Sequence, residues 1–103
     1  MKGEIYPINL PVGIAIGTPQ DVRDLSSMWL QLATVSGSPV GTLQIEGTID
    51  GTHYFSVGAA LTAAGILEIA PKKLTRIRVN ATTAITAGVW ALTLGAFNER
   101  SSE

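Results

Sequence analysis

Apolar and polar side chains alternate with a period of two along most of this chain, and that alternation constrains the fold more than any other feature. In residues 42–49 the apolar and polar sets fall on opposite faces: Leu43, Ile45 and Ile49 against Thr42, Gln44, Glu46 and Thr48. Asp50-Gly51 follows, a dipeptide that favours a tight turn because both residues tolerate a positive φ. Alternation then resumes, with Phe55 and Val57 as the predicted inner pair. Residues 40–58 are therefore predicted to form a β-hairpin.

Other stretches show the same period. Residues 28–35 are a predicted strand with Leu30 and Leu32 inward, and residues 66–69 are a short strand ending at Pro71. Residues 72–83 alternate in the same way. The predicted inner set is Ile77, Val79 and Ala81, and the outer set is Arg76, Arg78 and Asn80. Residues 88–97 are apolar on both faces, with Trp90 on the inner one. Such a segment is typical of a central strand, or of one whose outer face a partner covers.

Turn signals recur about every 8–12 residues, a spacing that indicates an antiparallel sandwich or barrel. They are Gly37-Ser38-Pro39, Asp50-Gly51, Ala64-Gly65, Pro71-Lys72 and Ala87-Gly88. Helix signals are weak: residues 20–27 and 59–65 each have room for one helical turn or for an ordinary loop. We therefore expect an all-β fold, an antiparallel β-sandwich of jelly-roll or immunoglobulin-like type.

The first quarter of the chain differs because three prolines punctuate it. Proline within a sheet is confined to its edges, so we expect residues 1–11 to form an extended arm and residues 12–17 an edge strand. Residues 21–97 are the predicted sandwich domain, and residues 98–103 a polar tail. The arm is too apolar for a solvated tail, and it packs either on its own domain or on a neighbour, through Ile5, Tyr6, Ile8 and Leu10.

The charge balance limits the classes of partner. Charged residues make up 15% of the chain and the net charge is -1, so there is no basic surface of the kind that binds nucleic acid. We find no apolar stretch long enough to span a bilayer and expect no membrane partner. The neutral, threonine-rich surface either faces water or is covered by sister subunits or a larger assembly, since a net charge near zero offers little repulsion against association.

The residues for catalysis are scarce. The chain has no cysteine and one histidine, His53, which excludes disulfide scaffolds, cysteine-based zinc sites and a cluster of histidine ligands. A Ser-His-Asp arrangement with Asp50 is formally open, but an exposed hairpin histidine is the better interpretation of His53. We expect no metal, no cofactor and no enzymatic activity.

Three residues are candidates for a subunit interface. Trp29 shares its parity with Gln31, and it is either an interface residue, a residue of the core or of the domain edge, or a ligand contact. Arg76 and Arg78 project from one face of their strand and are either solvated, paired across subunits, or directed at an acidic neighbour or nucleic acid.

Several motifs together resemble a known group of proteins. These are Ser27-Met-Trp-Leu-Gln-Leu-Ala, the segment Gly41-Thr-Leu-Gln-Ile-Glu-Gly-Thr-Ile-Asp-Gly-Thr-His-Tyr-Phe55, the strand from Arg78 to Thr82, and the final Gly-Val-Trp-Ala-Leu-Thr-Leu strand. Over residues 25–97 the chain resembles small β-sandwich proteins of tailed-bacteriophage virions, notably capsid decoration (cement) proteins and head or tail fibre modules.

The resemblance implies a role without catalysis. It implies a symmetric homo-oligomer, commonly a trimer, on the capsid surface of the virion, with the major capsid protein as partner. The arm would then supply the capsid or neighbour contacts through Ile5, Tyr6, Ile8 and Leu10. The alternative is a fibre or neck module, or a carbohydrate-binding sandwich that contacts a host-surface glycan through Trp29, Tyr54 and His53.

Overall fold

A computed structural model describes residues 2–23, 25–69 and 74–98. The predicted turn at Pro71-Lys72 and residues 99–103 of the predicted polar tail lie outside these residues, whereas Asn98, the first residue of that predicted tail, ends the last strand. Among the described residues there is no helix, so the segments 20–23, 25–27 and 59–65 contain no helical turn. In chain order the strands are β1 (Lys2–Ile8), β2 (Gln20–Asp21), β3 (Leu25–Thr48), β4 (Tyr54–Ser56), β5 (Gly65–Ile69) and β6 (Arg76–Asn98).

One long antiparallel ladder between β3 and β6 organises the fold. It runs from the pair Leu25↔Asn98 to the pair Thr48↔Arg76. At its first end β1 joins β6 and β5 joins β3, so the local strand order is β1-β6-β3-β5. At its other end β2 joins β6 and β4 joins β3. The all-β, antiparallel part of the prediction is therefore confirmed, as a curled sheet.

The middle of the ladder bends where the sequence predicts two turns. Gly37-Ser38-Pro39 and Ala87-Gly88 were expected to reverse the chain, but they lie inside β3 and β6, where Gly37 pairs with Gly88. Register shifts surround this pair, and both Gly37 (φ 69) and Ala87 (φ 64) adopt left-handed backbone. Bulges of this kind bend a strand without ending it. The two turn predictions are wrong for that reason.

The bulges also change which residues face the core. On β3 the buried side chains are even-numbered before the bend, as in Leu30 and Leu32, and odd-numbered after it, as in Leu43 and Ile45. An inserted residue shifts the parity, so both halves of the ladder turn their apolar side inward. In the described ranges, all the buried apolar side chains form one cluster.

Most predicted inner residues are buried, including Ile77, Val79, Ala81 and the alternating set from Trp90 to Ala96. The 40–58 hairpin is confirmed by the β3–β4 pairing. Three assignments in it are wrong. Ile49 follows the end of β3 and is exposed, and Phe55 lies on the edge strand β4 and is also exposed. Thr48, expected on the outer side, is buried, and its hydroxyl donates within the turn to Asp50.

The N-terminal region differs from the expectation in the position of its strand. The edge strand was expected at residues 12–17, which make only the isolated bridge Ile16↔Asn80. Instead β1 lies within the expected arm and pairs with β6 from Lys2↔Asn98 to Ile8↔Leu92. The arm's alternating apolar residues explain this, since Tyr6, Ile8 and Leu10 all pack against the core of their own domain.

Candidate interaction surface

The four strands β1, β6, β3 and β5 present one outward face, which we call the outer face. Residues paired across strands share a face, so the registers define its rows. One row is Ile5, Gly95, Trp29 and Glu68, and the next is Pro7, Thr93, Gln31 and Ile66. Phe97 belongs to the row on the other side of the first one, opposite Gly3.

Large apolar side chains on the outer face are open to solvent. Ile5 is 76% exposed and Ile66 is 71% exposed, on the two marginal strands. Trp29 and Phe97 lie between them with their ring centroids 6.2 Å apart and their planes at 81°, an edge-to-face contact. Contiguous apolar area of this kind makes the outer face a candidate interaction site.

Gly95 creates a trough in the middle of the outer face. A Cβ placed there would have no heavy atom within 4 Å, although the neighbouring strands carry Ile5 and Trp29 in the same row. The resulting cavity is about 300 Å³ and is lined by Ile5, Trp29, Gln31, Ile66, Thr93 and Gly95. A side chain of a partner could enter it, with the amide of Gln31 and the hydroxyl of Thr93 as its polar groups.

The outer face is almost free of charge. Among its residues that the structure describes, Glu68 on the marginal strand β5 is the only ionisable one. Polyanions would find no cation on this face, and binding to it would depend on apolar contact and hydrogen bonds.

The four predicted contact residues of the arm separate into two groups. Ile5 points outward and lies on the outer face. Tyr6, Ile8 and Leu10 are half-buried and pack against the core. The sequence already indicates this separation. Tyr6, Ile8 and Leu10 are even-numbered and Ile5 is odd-numbered, so in a strand they point to opposite faces.

Trp29 and the two arginines lie in different surroundings. Trp29 is 37% exposed on the outer face. Arg78 lies in the other half of the ladder, where its Nε donates to Oε1 of Glu46 at 2.8 Å. Its guanidinium carbon is 3.7 Å from the ring centroid of Tyr54. Arg76 is exposed at the end of β6, paired with Thr48 and Asp21 across the strands.

The residues of the alternative glycan platform are not brought together by the recorded contacts. Trp29 contacts Phe97, Tyr54 contacts Arg78, and His53 bonds to Asp50. The side chain of His53 is 86% exposed, in agreement with an exposed hairpin histidine. Its Nδ1 lies 2.7 Å from Oδ2 of Asp50.

Asp50 organises the hairpin turn. Its Oδ1 accepts the backbone N–H groups of Thr52 and His53, each at 2.8 Å, and the hydroxyl of Thr48 at 3.0 Å. The N–H of His53, followed by the His53 ring and the N–H of Thr52, holds the pKa of Asp50 well below its ordinary value. This arrangement stabilises a turn.

A second exposed apolar segment follows β1 and is not predicted from the sequence. Val12, Ile14 and Ile16 all point to solvent, and Val12 borders a shallow cavity with Ile85 and Val89. The alternation in residues 12–16 was the signal, but it was interpreted as an edge strand.

Comparison with family models, curated proteins and solved structures finds no match to this chain. Within the part of the chain that the structure describes, no helix is long and apolar enough to cross a bilayer.

Proposed function

We propose that the chain is a non-enzymatic virion structural protein, a capsid decoration (cement) protein that forms homo-oligomers and binds the shell of the major capsid protein. We further propose that the curled sheet is a form of the β-sandwich, since the apolar sides of both ladder halves join one core. The resemblance of residues 25–97 to phage virion proteins suggests the role.

The outer face is the observation that carries this proposal. Its four exposed apolar side chains, Ile5, Trp29, Ile66 and Phe97, present roughly 400 Å² of apolar surface, which at about 25 cal/mol per Å² corresponds to on the order of 10 kcal/mol on burial. Association itself costs a comparable amount, so one copy alone binds weakly.

A repetitive shell compensates for weak single contacts. Copies joined in an oligomer engage several equivalent shell sites at once, which raises the effective affinity without any new contact. Since the protein binds the assembled shell and not its separated subunits, it stabilises the assembled state by linkage. The near absence of charge on the outer face suits this role, because such binding is little affected by salt.

The first experiment counts copies in purified virions. We expect this chain in many copies, at a fixed ratio to the major capsid protein. A handful of copies per virion would move it to the neck, tail or fibre, and its absence from virions would overturn the proposal.

The second experiment tests the outer face. Purified chain is added to empty shells that lack it, and Trp29→Ser is expected to lower attachment by about tenfold or more. Val35→Ser is the matched control, because Val35 is exposed on the same strand but at the bend. Equal attachment of both variants would overturn the role of the outer face.

The trough at Gly95 favours a second candidate function. An aromatic side chain beside an amide and a hydroxyl, here Trp29 with Gln31 and Thr93, is chemistry suited to a sugar ring. In this alternative the chain is a fibre or neck module that contacts a host-surface glycan. Binding on a glycan array that Trp29→Ala abolishes would support it, and a negative array would argue against it.

A further inference from the structure

Two strands of the sheet each have an unpaired edge. In the described residues β1 pairs only with β6, and β5 pairs only with β3. They are the two margins of the four-stranded half, at opposite sides of the outer face. An unpaired edge presents backbone N–H and C=O groups that can accept another strand.

Pro7 indicates which backbone groups of β1 are free. Proline has no N–H, and in an edge strand its nitrogen faces away from the neighbouring strand. Backbone groups alternate in direction along a strand, so Gly3 and Ile5 also direct theirs to the open side. Tyr6, between Ile5 and Pro7, then bonds to β6.

The same alternation can be followed across the sheet to β5. If Tyr6 bonds to Leu94 on β6, then Gly95 bonds to Trp29 on β3, and the next residue, Leu30, bonds to Leu67 on β5. Leu67 therefore uses its backbone groups inside the sheet. Its neighbours Ile66 and Glu68 direct theirs to the open edge.

Hydrogen bonds in the other half of the ladder support this assignment independently. There the core-facing Ile45 of β3 accepts from Val57, away from β6. The core-facing Val79 and Ala81 of β6 bond to Gly17 and Ala15, away from β3. Core-facing residues of β3 and β6 thus bond outward from the central ladder, as the assignment requires for Leu30 and Leu94.

The two open edges match in length and in side-chain character. Residues 18–20 lie beside Pro7 and Ile8, so the open part of β1 is Lys2–Tyr6, five residues, and β5 also has five. Antiparallel pairing of these segments places Ile5 opposite Ile66 and Gly3 opposite Glu68. Both are pairs whose backbone groups face each other and whose side chains lie on the outer face.

We propose that a second copy of this chain adds its β5 edge to the β1 edge, head to tail. The strand directions alternate across β1-β6-β3-β5, so a neighbouring copy in the same orientation presents β5 antiparallel to β1. Four backbone hydrogen bonds form, two for each facing pair. The outer faces of successive copies then join into one surface.

Pairing of identical edges is less favourable. Two β1 edges joined through Gly3 and Ile5 place Glu4 opposite Glu4, and like charges directly opposite destabilise a sheet. Two β5 edges joined through Ile66 and Glu68 place an apolar side chain opposite an acidic one. Head-to-tail pairing has one such mismatch, Glu4 opposite Leu67, where two β5 edges have two, and it places isoleucine beside isoleucine.

The contact is heterologous, because the two copies use different edges. Repetition of such a contact closes into a ring if the rotation per copy allows it, and otherwise extends as a filament. The proposal rests on the proposed function for the statement that the chain forms homo-oligomers. Head-to-tail pairing is tested on purified chain without shells. If that test fails, attachment to shells is still judged by its own experiment.

The decisive experiment is a complementation test by sedimentation velocity. Ile5→Pro removes an N–H on the open side of β1, where Pro7, two residues further along, already directs its nitrogen. Ile66→Pro removes an N–H on the open side of β5. Each variant alone is expected to lose the wild-type oligomer, with self-association weakened by more than about tenfold. Mixed in equal amounts they are expected to form a dimer that stops there, since each retains one intact edge. Ile5→Val and Ile66→Val are the controls and should behave as wild type.

Three results would overturn the proposal: a wild-type chain that stays monomeric at high concentration, a proline variant that oligomerises as wild type does, or a mixture that stays monomeric. A measurement on the unaltered chain covers the case in which a proline variant does not fold. Amide hydrogen exchange at Gly3, Ile5, Ile66 and Glu68 is expected to slow as the concentration is raised, since these N–H groups face solvent in the monomer. Exchange that does not change with concentration would contradict head-to-tail pairing.

Discussion

Arg78 and Glu46 face each other across the β3–β6 ladder, and the Nε of Arg78 donates a hydrogen bond of 2.8 Å to Oε1 of Glu46. Both side chains are largely buried, the ring of Tyr54 lies 3.7 Å from the guanidinium, and the amide of Asn80 donates to the other carboxylate oxygen. These contacts pair the charge of Arg78 with groups of its own chain.

Arg78→Met is expected to lower the free energy of unfolding by about 1–3 kcal/mol, because it leaves the carboxylate of Glu46 buried without its charged partner. Arg76→Met is the matched control on the same strand, and because Arg76 is exposed its effect should stay within about 0.5 kcal/mol. Urea unfolding of both variants tests this. If Arg78 instead contacts a neighbouring subunit, its replacement would weaken oligomerisation and leave the monomer's stability unchanged.

Gly88 and Gly95 lie on the same strand but should respond oppositely to an added methyl group. A Cβ at Gly88 would lie 2.5 Å from the carbonyl oxygen of Ser36 and 2.7 Å from Cδ of Pro39, whereas a Cβ at Gly95 meets nothing within 4 Å. We expect Gly88→Ala to lower the unfolding free energy by more than about 2 kcal/mol, because the bend must open. Gly95→Ala should be neutral or slightly stabilising. Thermal unfolding of the two variants measures this, and equal stabilities would show that the bend is not closely packed.

The sequence predicted the strand interiors but not the bend, and the reason is local. Strict alternation identifies Leu43, Ile45, Val79 and Ala81 as core residues because one face of a curled sheet is buried away from water. A Gly-Ser-Pro triplet at residues 37–39 is compatible with a reversal and with a bulge. What distinguishes them is the pairing of Gly37 with Gly88, a contact between residues far apart in the chain.

The outer face could be predicted only in part for the same reason. The sequence singled out Trp29 and Ile5, each from its own segment. Ile66 and Phe97 were not singled out, because their proximity depends on the registers that align four strands. Tyr6 is predicted as a contact residue together with Ile5, but its alternation with Ile5 places it inward, against the core.

Ala87 offers a test of the strain at the bend. Its φ of 64° is a left-handed conformation that a residue with a Cβ adopts at a cost of about 1–2 kcal/mol, whereas glycine adopts it readily. Ala87→Gly is therefore expected to raise the unfolding free energy by up to about 1 kcal/mol, after the greater flexibility of glycine in the unfolded chain is subtracted. Ala91→Gly, on the same strand beyond the bend, should instead destabilise. A loss of stability in Ala87→Gly, measured in urea, would contradict this backbone conformation.

The hairpin turn should make stability depend on pH through Asp50. Its hydrogen bonds to the N–H and ring of His53 and to the N–H of Thr52 lower the pKa of Asp50 in the folded state. A depressed folded-state pKa means that the contribution is fully present above the unfolded-state pKa, about 3.9, and is lost as the pH falls through the folded-state pKa. We expect the wild type to exceed Asp50→Ala in unfolding free energy at pH 5, and this difference to shrink on acidification below about pH 4.

Two variants separate the charge of Asp50 from the geometry of its turn. Asp50→Asn retains an acceptor oxygen for the N–H groups of Thr52 and His53, so it should keep part of the stability and lose its dependence on acid pH. Urea unfolding at a series of pH values gives the profiles of the wild type, Asp50→Ala and Asp50→Asn. A wild-type advantage over Asp50→Ala that stays constant or grows on acidification would show that the carboxylate is not held in its charged form by the turn.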